Sequence, residues 1–155
     1  MATTETAAHP VTTEQQELID AVARTAFRVM AALSKLAAEN DLSLTQLRML
    51  GILRDRRLKI SELAYGLGLD RTTVSGLVDR TEKRGLVQRS PHPLDGRSVQ
   101  VTLSTKGARA AEHGANEIAL SLSSMTGALN RAESQRLTTL LERMLEPGNS
   151  GGSFG

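Results

Sequence analysis

A mainly α fold with a small β-hairpin is what this sequence predicts, and three observations carry the prediction. Apolar residues recur at helical spacing on both flanks of the chain, from Thr13 to Leu53 and from Ser104 to Leu145. Between them a short helical stretch, a glycine turn and a second helical stretch occupy residues 61–84. Two short alternating runs with a turn-rich link follow at once. Together these describe a winged helix-turn-helix joined to a helical dimerisation region.

The elements follow in chain order. Residues 1–12 are small, polar and broken by Pro10, the composition of a flexible arm. Thr13 and Gln16 stand at capping-box spacing, and Ile19, Val22, Ala26, Met30, Leu33 and Ala37 then mark one face of a long amphipathic helix. A second capping box, Ser43 with Gln46, opens a helix carrying Leu47, Leu50, Ile52 and Leu53, which fades in the charged run Arg54-Asp55-Arg56-Arg57. A short helix over Ser61–Leu67 turns at Gly68-Leu69 into one capped by Asp70, which stops at Gly85. Leu86–Arg89 and Ser98–Leu103 read as the two strands of the wing, with the turn formers Ser90 to Gly96 between them.

From Ser104 a long helix spaces Ala111, Ala115, Ile118, Leu122, Met125 and Leu129 alternately by four and three, which lays one apolar seam along its length. Asn130, three before Glu133, caps a last helix with Leu137, Leu140, Leu141, Met144 and Leu145 on one side. Residues 147–155 have the Gly, Ser and Pro content of a flexible tail. The expected division is therefore 13–42 and 104–146 for dimerisation and 43–103 for the winged helix-turn-helix. The seam has a second reading, a core between these helices within one monomer.

Charge narrows the function. The net charge is only +2, but the segment Arg54–Arg109 holds twelve Lys and Arg against six Asp and Glu, while the rest of the chain is acidic on balance. A basic middle between acidic ends suits a module that meets phosphate with one face, although a solvated mixed surface would give a similar count. Phe27, Tyr65 and Phe154 are the whole aromatic set, too few to stack splayed single-stranded bases, so duplex is the better partner. The absence of cysteine excludes disulfides, thiolate metal sites and cysteine redox chemistry. No stretch approaches the roughly 18 to 20 apolar residues of a membrane helix, and no signal segment precedes the first helix. The expectation is a cytoplasmic protein, nucleoid-associated when bound to DNA, with no membrane partner.

The helix-turn-helix supplies the candidate binding residues. Ala64 is small where the second helix crosses the first, and Gly68 tolerates the positive φ of the turn. Leu69, Val74, Leu77 and Val78 can bury one edge of the second helix, leaving Arg71, Thr72, Thr73, Ser75, Gly76 and Arg80 to face outwards. Arginine can donate two hydrogen bonds to the O6/N7 edge of guanine, threonine and serine can bond base or phosphate, and Gly76 permits close approach. In the wing, Arg97 can enter a narrow minor groove with Asp95 bracing its guanidinium. Lys59, Ser61, Lys83, Arg84 and Arg89 are candidates for phosphate contacts.

The runs Ser61-Glu62-Leu63-Ala64, Leu69 to Ser75, Leu77-Val78-Asp79-Arg80 and Glu82 to Val87, with Asp95-Gly96-Arg97-Ser98, Val101 to Ser104 and Lys106-Gly107, resemble the MarR family of regulators. The resemblance covers nearly all of Thr13 to Leu145. It implies an obligate homodimer built from the first and last helices, with recognition helices in successive major grooves of a pseudo-palindromic double-stranded operator and the wing arginine in the minor groove. It further implies a small aromatic or phenolic effector bound between the two lobes that releases a repressor from DNA. Members often carry two successive basic residues after the wing aspartate, where this chain has Gly96 before Arg97.

No catalytic residue, cofactor or metal site is expected. No phosphate loop, paired-carboxylate cleft, zinc triad or nucleophile elbow stands at useful spacing, and His9, His92 and His113 are scattered. The effector-binding residues stay unassigned, although Phe27, Met30 and Met49 could line a cleft. The alternative function is a winged-helix module that binds protein without specific DNA binding; the polar, basic edge of the second helix speaks against it.

Overall fold

The computed structural model describes residues 11–146, in the order α1 (Thr13–Glu39), α2 (Leu44–Leu53), β1 (Leu58–Lys59), α3 (Ile60–Leu67), α4 (Arg71–Lys83), β2 (Val87–His92), β3 (Asp95–Leu103), α5 (Thr105–Thr126) and α6 (Arg131–Leu145). The expected tail 147–155 and most of the expected arm 1–12 lie outside the described residues.

Local chemistry sets the helix ends. Ser43, Asp70 and Asn130 each accept a hydrogen bond from a first-turn backbone N–H, as the sequence predicts, and Ser104 does the same for α5. The first cap differs by one residue: Thr12 and Gln15, not Thr13 and Gln16, form the reciprocal pair, at 3.2 and 2.9 Å. The sequence repeats both residue types in tandem, so the two registers share one spacing, and the chain's entry into the helix selects Thr12.

Gly68 and Gly85 both take left-handed φ, +68° and +71°. Each closes a helix by the same paired bonds, Leu69 N–H to the Ala64 carbonyl with Gly68 N–H to Tyr65, and Leu86 N–H to Thr81 with Gly85 N–H to Glu82.

The strands form one antiparallel sheet of order β1-β3-β2. The wing is longer than the sequence predicts. β2 continues through Ser90 and Pro91 to His92, β3 begins at Asp95, and only Pro93 and Leu94 make the turn. Pro91 is tolerated because β2 is an edge strand, and the register shifts just beyond it. The two-residue strand β1, absent from the sequence reading, pairs Leu58 with Val101.

One core holds α2, α3, α4 and the base of the sheet together. Met49, Leu50 and Leu53 from α2 meet Leu63 and Leu67 from α3, Val74, Leu77 and Val78 from α4, and Leu86, Val87 and Val101 from the strands. Each large side chain so buried contributes roughly 1.5–3 kcal/mol relative to exposure. A polar strut crosses this core. The Gln46 amide donates to Thr81 Oγ1 at 3.2 Å, and the fully buried Thr81 hydroxyl donates to the Leu77 carbonyl at 2.8 Å, so neither group is left unpaired.

The base of the wing is welded to the start of α5. Ser104 N–H donates to the Leu86 carbonyl at 3.0 Å, Ser104 Oγ to Gly85 at 2.6 Å and Lys106 Nζ to Arg84 at 3.1 Å. The approach is so close that a Cβ on Gly107 would stand 1.8 Å from the Leu86 carbonyl oxygen. That is the physical reason for glycine in the Lys106-Gly107 pair.

The flanking helices are different. α1 is buried only at Leu36 and Ala37, near its end, where it packs on α5 and α2. No residue of α6 is buried, and Leu137, Leu140, Leu141, Met144 and Leu145 are all exposed. The seam on α5 divides: Ala111 joins the core, while Ala115, Ile118, Leu122 and Met125 are half-buried, and Leu129, expected on the same helix, lies beyond its end at Thr126.

Candidate nucleic-acid interface

The turn between α3 and α4 is fixed at both of its ends. Gly68 ends α3, and Asp70 begins α4 with Oδ1 accepting from Thr73 N–H at 2.8 Å and Oδ2 from Thr73 Oγ1 at 2.5 Å. The side-chain bond from Thr73, and next its backbone N–H, hold the Asp70 carboxyl below its usual proton affinity. The helix start is therefore a charged, pre-set cap.

On α4, Val74, Leu77, Val78 and Thr81 face inwards, and Arg71, Thr72, Thr73 and Arg80 are exposed on the other side. Ser75 and Gly76 are half-buried. Leu69, expected to bury an edge of this helix, is 37 % exposed, because it belongs to the turn and not to the packed face. A Cβ on Gly76 would lie 3.4 Å from Arg80 Nη1, so the bare glycine makes room for the Arg80 guanidinium to fold back along the helix. Thr73 keeps its hydroxyl proton on Asp70, which leaves that oxygen able to accept but not to donate.

Arg97 is exposed on the wing. Asp95 does not brace its guanidinium. The Asp95 carboxylate accepts instead from Ser98 Oγ at 2.6 Å and from the backbone N–H of Arg97 at 3.2 Å, and these two bonds depress its proton affinity in that order. The carboxylate braces the turn and leaves the arginine side chain unengaged among the described residues. Lys59, whose backbone pairs with Gln100 of β3, adds a weaker pull on the Asp95 carboxyl. Ser61 is half-buried at the start of α3, and His92 is used locally, its Nδ1 accepting from Leu94 N–H at 3.2 Å.

Two of the expected phosphate contacts are engaged elsewhere. The Arg84 guanidinium donates to the Asp41 carbonyl and, at 3.2 Å, to the Asn40 carbonyl, strapping the end of α4 to the α1–α2 corner. Arg89 Nη2 meets Asp79 Oδ1 at 2.6 Å and Nη1 meets Glu82 Oε2 at 2.6 Å, while its backbone N–H donates to Glu82 Oε1 at 3.0 Å. Burial opposes the Arg89 charge, but the hydrogen bonds and charges of Asp79 and Glu82 outweigh it and raise the group's proton affinity. The exposed cations on this side are Arg71, Arg80, Lys83 and Arg97, with Lys59 half-buried beside the wing. Asp79 and Glu82 three residues apart, with an arginine two residues into the next strand, is the signal that could have marked Arg89 as a clamp.

A cleft of about 770 Å³ lies between α1, α2 and α5, walled by Met30, Leu33, Leu36, Leu47, Leu50 and Ile118, with Arg48, Arg54 and Arg56 along it. Of the three residues considered for a cleft, only Met30 lines it. Phe27 is 76 % exposed, and Met49 is buried in the core. Arg48 donates to the Gly66 carbonyl at 3.1 Å and so connects the cleft wall to the end of α3. Among the described residues no cluster of three or more His, Asp or Glu could hold a metal ion, and no helix is long and apolar enough to cross a membrane.

A sequence model described as the MarR family matches residues 40–98, the span that holds the helix-turn-helix and most of the wing. The chain is 33 % identical over 93 residues to the transcriptional repressor NicR of Pseudomonas putida, which covers 59 % of this chain and 58 % of that protein. The curated relatives it matches are each spanned over less than two thirds of their own length. Among solved structures, BpsR of Bordetella bronchiseptica, whose DNA binding is regulated by 6-hydroxynicotinic acid, superposes with a TM-score of 0.69 at 26 % identity, over 90 % of this chain and 99 % of that one. A mutant MarR of E. coli complexed with operator DNA gives 0.64 at 26 % identity, over 86 % and 95 %. The mainly helical fold with its small three-stranded sheet is the winged helix of these proteins.

Proposed function

We propose, from the MarR-family match over residues 40–98 and the likeness to solved structures of that family, that this chain is a cytoplasmic, homodimeric transcriptional regulator of that family that binds a double-stranded, pseudo-palindromic operator. The observation that carries the reading is the two-sided build of α4, apolar and buried on one edge, with Arg71, Thr72, Thr73 and Arg80 exposed on the other. In this reading that edge enters the major groove, with Ser75 and Gly76 at its margin. Arg97, with its guanidinium unengaged among the described residues, enters the minor groove from a turn stiffened by Asp95. Lys59 and Ser61 meet phosphate between them.

Residues 43–103 act as the DNA-binding region, and 13–42 with 104–146 as the dimerisation region. One recognition helix per chain reads too little sequence by itself, and two copies spaced by about 34 Å meet successive turns of DNA. The exposed leucines of α6 support this division, because they lack a cover among the described residues.

The cleft between α1, α2 and α5 suits a small aromatic or phenolic acid, with its ring among the leucines and its carboxylate toward Arg48, Arg54 or Arg56. Such a ligand releases the repressor from DNA by population shift: it binds best to dimers whose recognition helices are misplaced for their half-sites.

Selection of bound duplexes from a random pool, followed by gel shift across a salt series, tests the DNA reading. The expected result is one enriched inverted repeat whose affinity falls steeply with salt. Arg97→Ala is expected to weaken operator binding by about tenfold or more with the dimer intact. A protein that retains no duplex at any salt concentration is instead a protein-binding module.

A further inference from the structure

We propose that Arg89 is a positioning residue that sets the separation between the wing and the recognition helix, and thereby the spacing of major-groove and minor-groove contacts that the protein accepts. The inference rests on the DNA-binding reading above and adds a residue to it that makes no contact with DNA.

The side chain of Arg89 is only 26 % exposed and reaches from β2 onto α4. There it takes Asp79 and Glu82 at 2.6 Å each, and Nη2 also points to the Ser75 carbonyl at 3.4 Å. Ser75, Asp79 and Glu82 lie on successive turns of one helix face, so a single planar group is tied to three levels of α4. The guanidinium donates along fixed in-plane directions, and such a fork fixes orientation as well as distance.

Apart from the Arg89 backbone N–H, which donates to Glu82 Oε1 at 3.0 Å, the sheet meets α4 through the apolar core that holds Val74, Val78, Val87 and Val101. Apolar contact is non-directional and fixes position less sharply. Beyond Arg89 the hairpin projects alone: among the described residues no hydrogen bond or ion pair joins residues 90–98 to α4. Arg89 pairs with Val101, and Arg97 stands four residues further along β3, about 13 Å at ordinary strand rise. A small rotation at the clamp therefore becomes a larger displacement of the minor-groove arginine.

Arg89→Lys separates position from charge. A lysine keeps the positive charge against Asp79 and Glu82 but lacks the fork. The test uses the operator selected by the parent protein and two further duplexes in which the minor-groove segment is moved one base pair towards or away from the major-groove core. The parent is expected to lose about tenfold or more on either displaced duplex. The Arg89→Lys protein is expected to discriminate among the three by less than about threefold, with unchanged affinity for unrelated duplex and an unchanged thermal midpoint. Equal discrimination in parent and variant overturns the proposal. If Arg89→Lys does not fold, Asp79→Asn, which removes one arm of the clamp, is read in the same way.

A second measurement needs no DNA. The chain has no cysteine, so spin labels at Thr72→Cys and Leu94→Cys, in protomers diluted with unlabelled protein, report the wing-to-helix distance. A broader distance distribution in Arg89→Lys supports the proposal, and an unchanged one overturns it. If no operator is selected, the DNA reading itself fails, and this distance still decides whether Arg89 fixes the wing.

Discussion

The segment from α2 to the start of α5 and the two long flanks are built from the same kinds of residue but stand in different states of completion. In the first, Met49, Leu50, Leu63, Val74, Val78 and Val101 are all but sealed from solvent, and the polar groups they bury are paired. In the second, Leu18, Ile19 and Val22 on α1 and five apolar residues on α6 are open to water. Apolar surface on this scale, periodic and on one side of each helix, is what an interface looks like when its other half is missing. The middle of the chain covers its own apolar surface. The flanks are what the proposed second copy would cover.

The largest expected effect breaks the self-contained half. Gly107→Ala would drive a Cβ into the Leu86 carbonyl, and relief requires α5 to move off the wing base. We expect a loss of about 3 kcal/mol in chemical unfolding. A variant as stable as the parent would show that α5 rides loosely there, and the contrast between the two regions would blur.

Next comes the dependent half. Leu140→Glu with Leu141→Glu places two charges on the exposed face of α6. Sedimentation should show the dimer dissociation constant raised by about a hundredfold or more, with the helical circular dichroism of the core retained. A dimer of unchanged strength would move the interface elsewhere.

The smallest effect sharpens the comparison by pH. The Asp70 carboxyl is depressed in the folded chain by its bonds to Thr73. A depressed carboxyl contributes stability that is fully present above its unfolded value, about 3.9, and is lost as pH falls through the lower folded value. The thermal midpoint should therefore fall on acidification below about pH 4, and less steeply in Asp70→Asn, which keeps an acceptor for the Thr73 N–H without the charge. Identical slopes would show that the cap is not linked to protonation.

How much of this was legible follows from the range of the signals. Caps and glycine stops are local, and Ser43, Asp70, Asn130, Gly68 and Gly85 are all readable from neighbours within four residues. The helix-turn-helix and its buried face were readable for the same reason. β1 was not, since two residues carry no period and Leu58 is a strand only because Val101 lies beside it. The full wing was hidden by Pro91, which usually ends a strand and here sits on an edge. Among the candidate binding residues, exposure could be inferred from periodicity on α4, whereas the engagement of a cation could not. Arg84 and Arg97 look alike in a charge count. One is spent on carbonyls 43 and 44 residues earlier, and the side chain of the other on nothing among the described residues. The cleft was legible only at Met30, because its third wall comes from α5, far along the chain from α1 and α2.

The weld at Gly107 has a mechanical consequence. α5 is 22 residues long, so it extends about 33 Å from a fixed footing beneath the wing toward the flank where the second protomer is expected. A rod held so firmly at one end behaves as a lever. A tilt of about 5° at the footing sweeps the far end through about 3 Å, and the same ratio run in reverse means that a shift of the far end reaches the DNA-reading side as a fine, geared-down adjustment of angle.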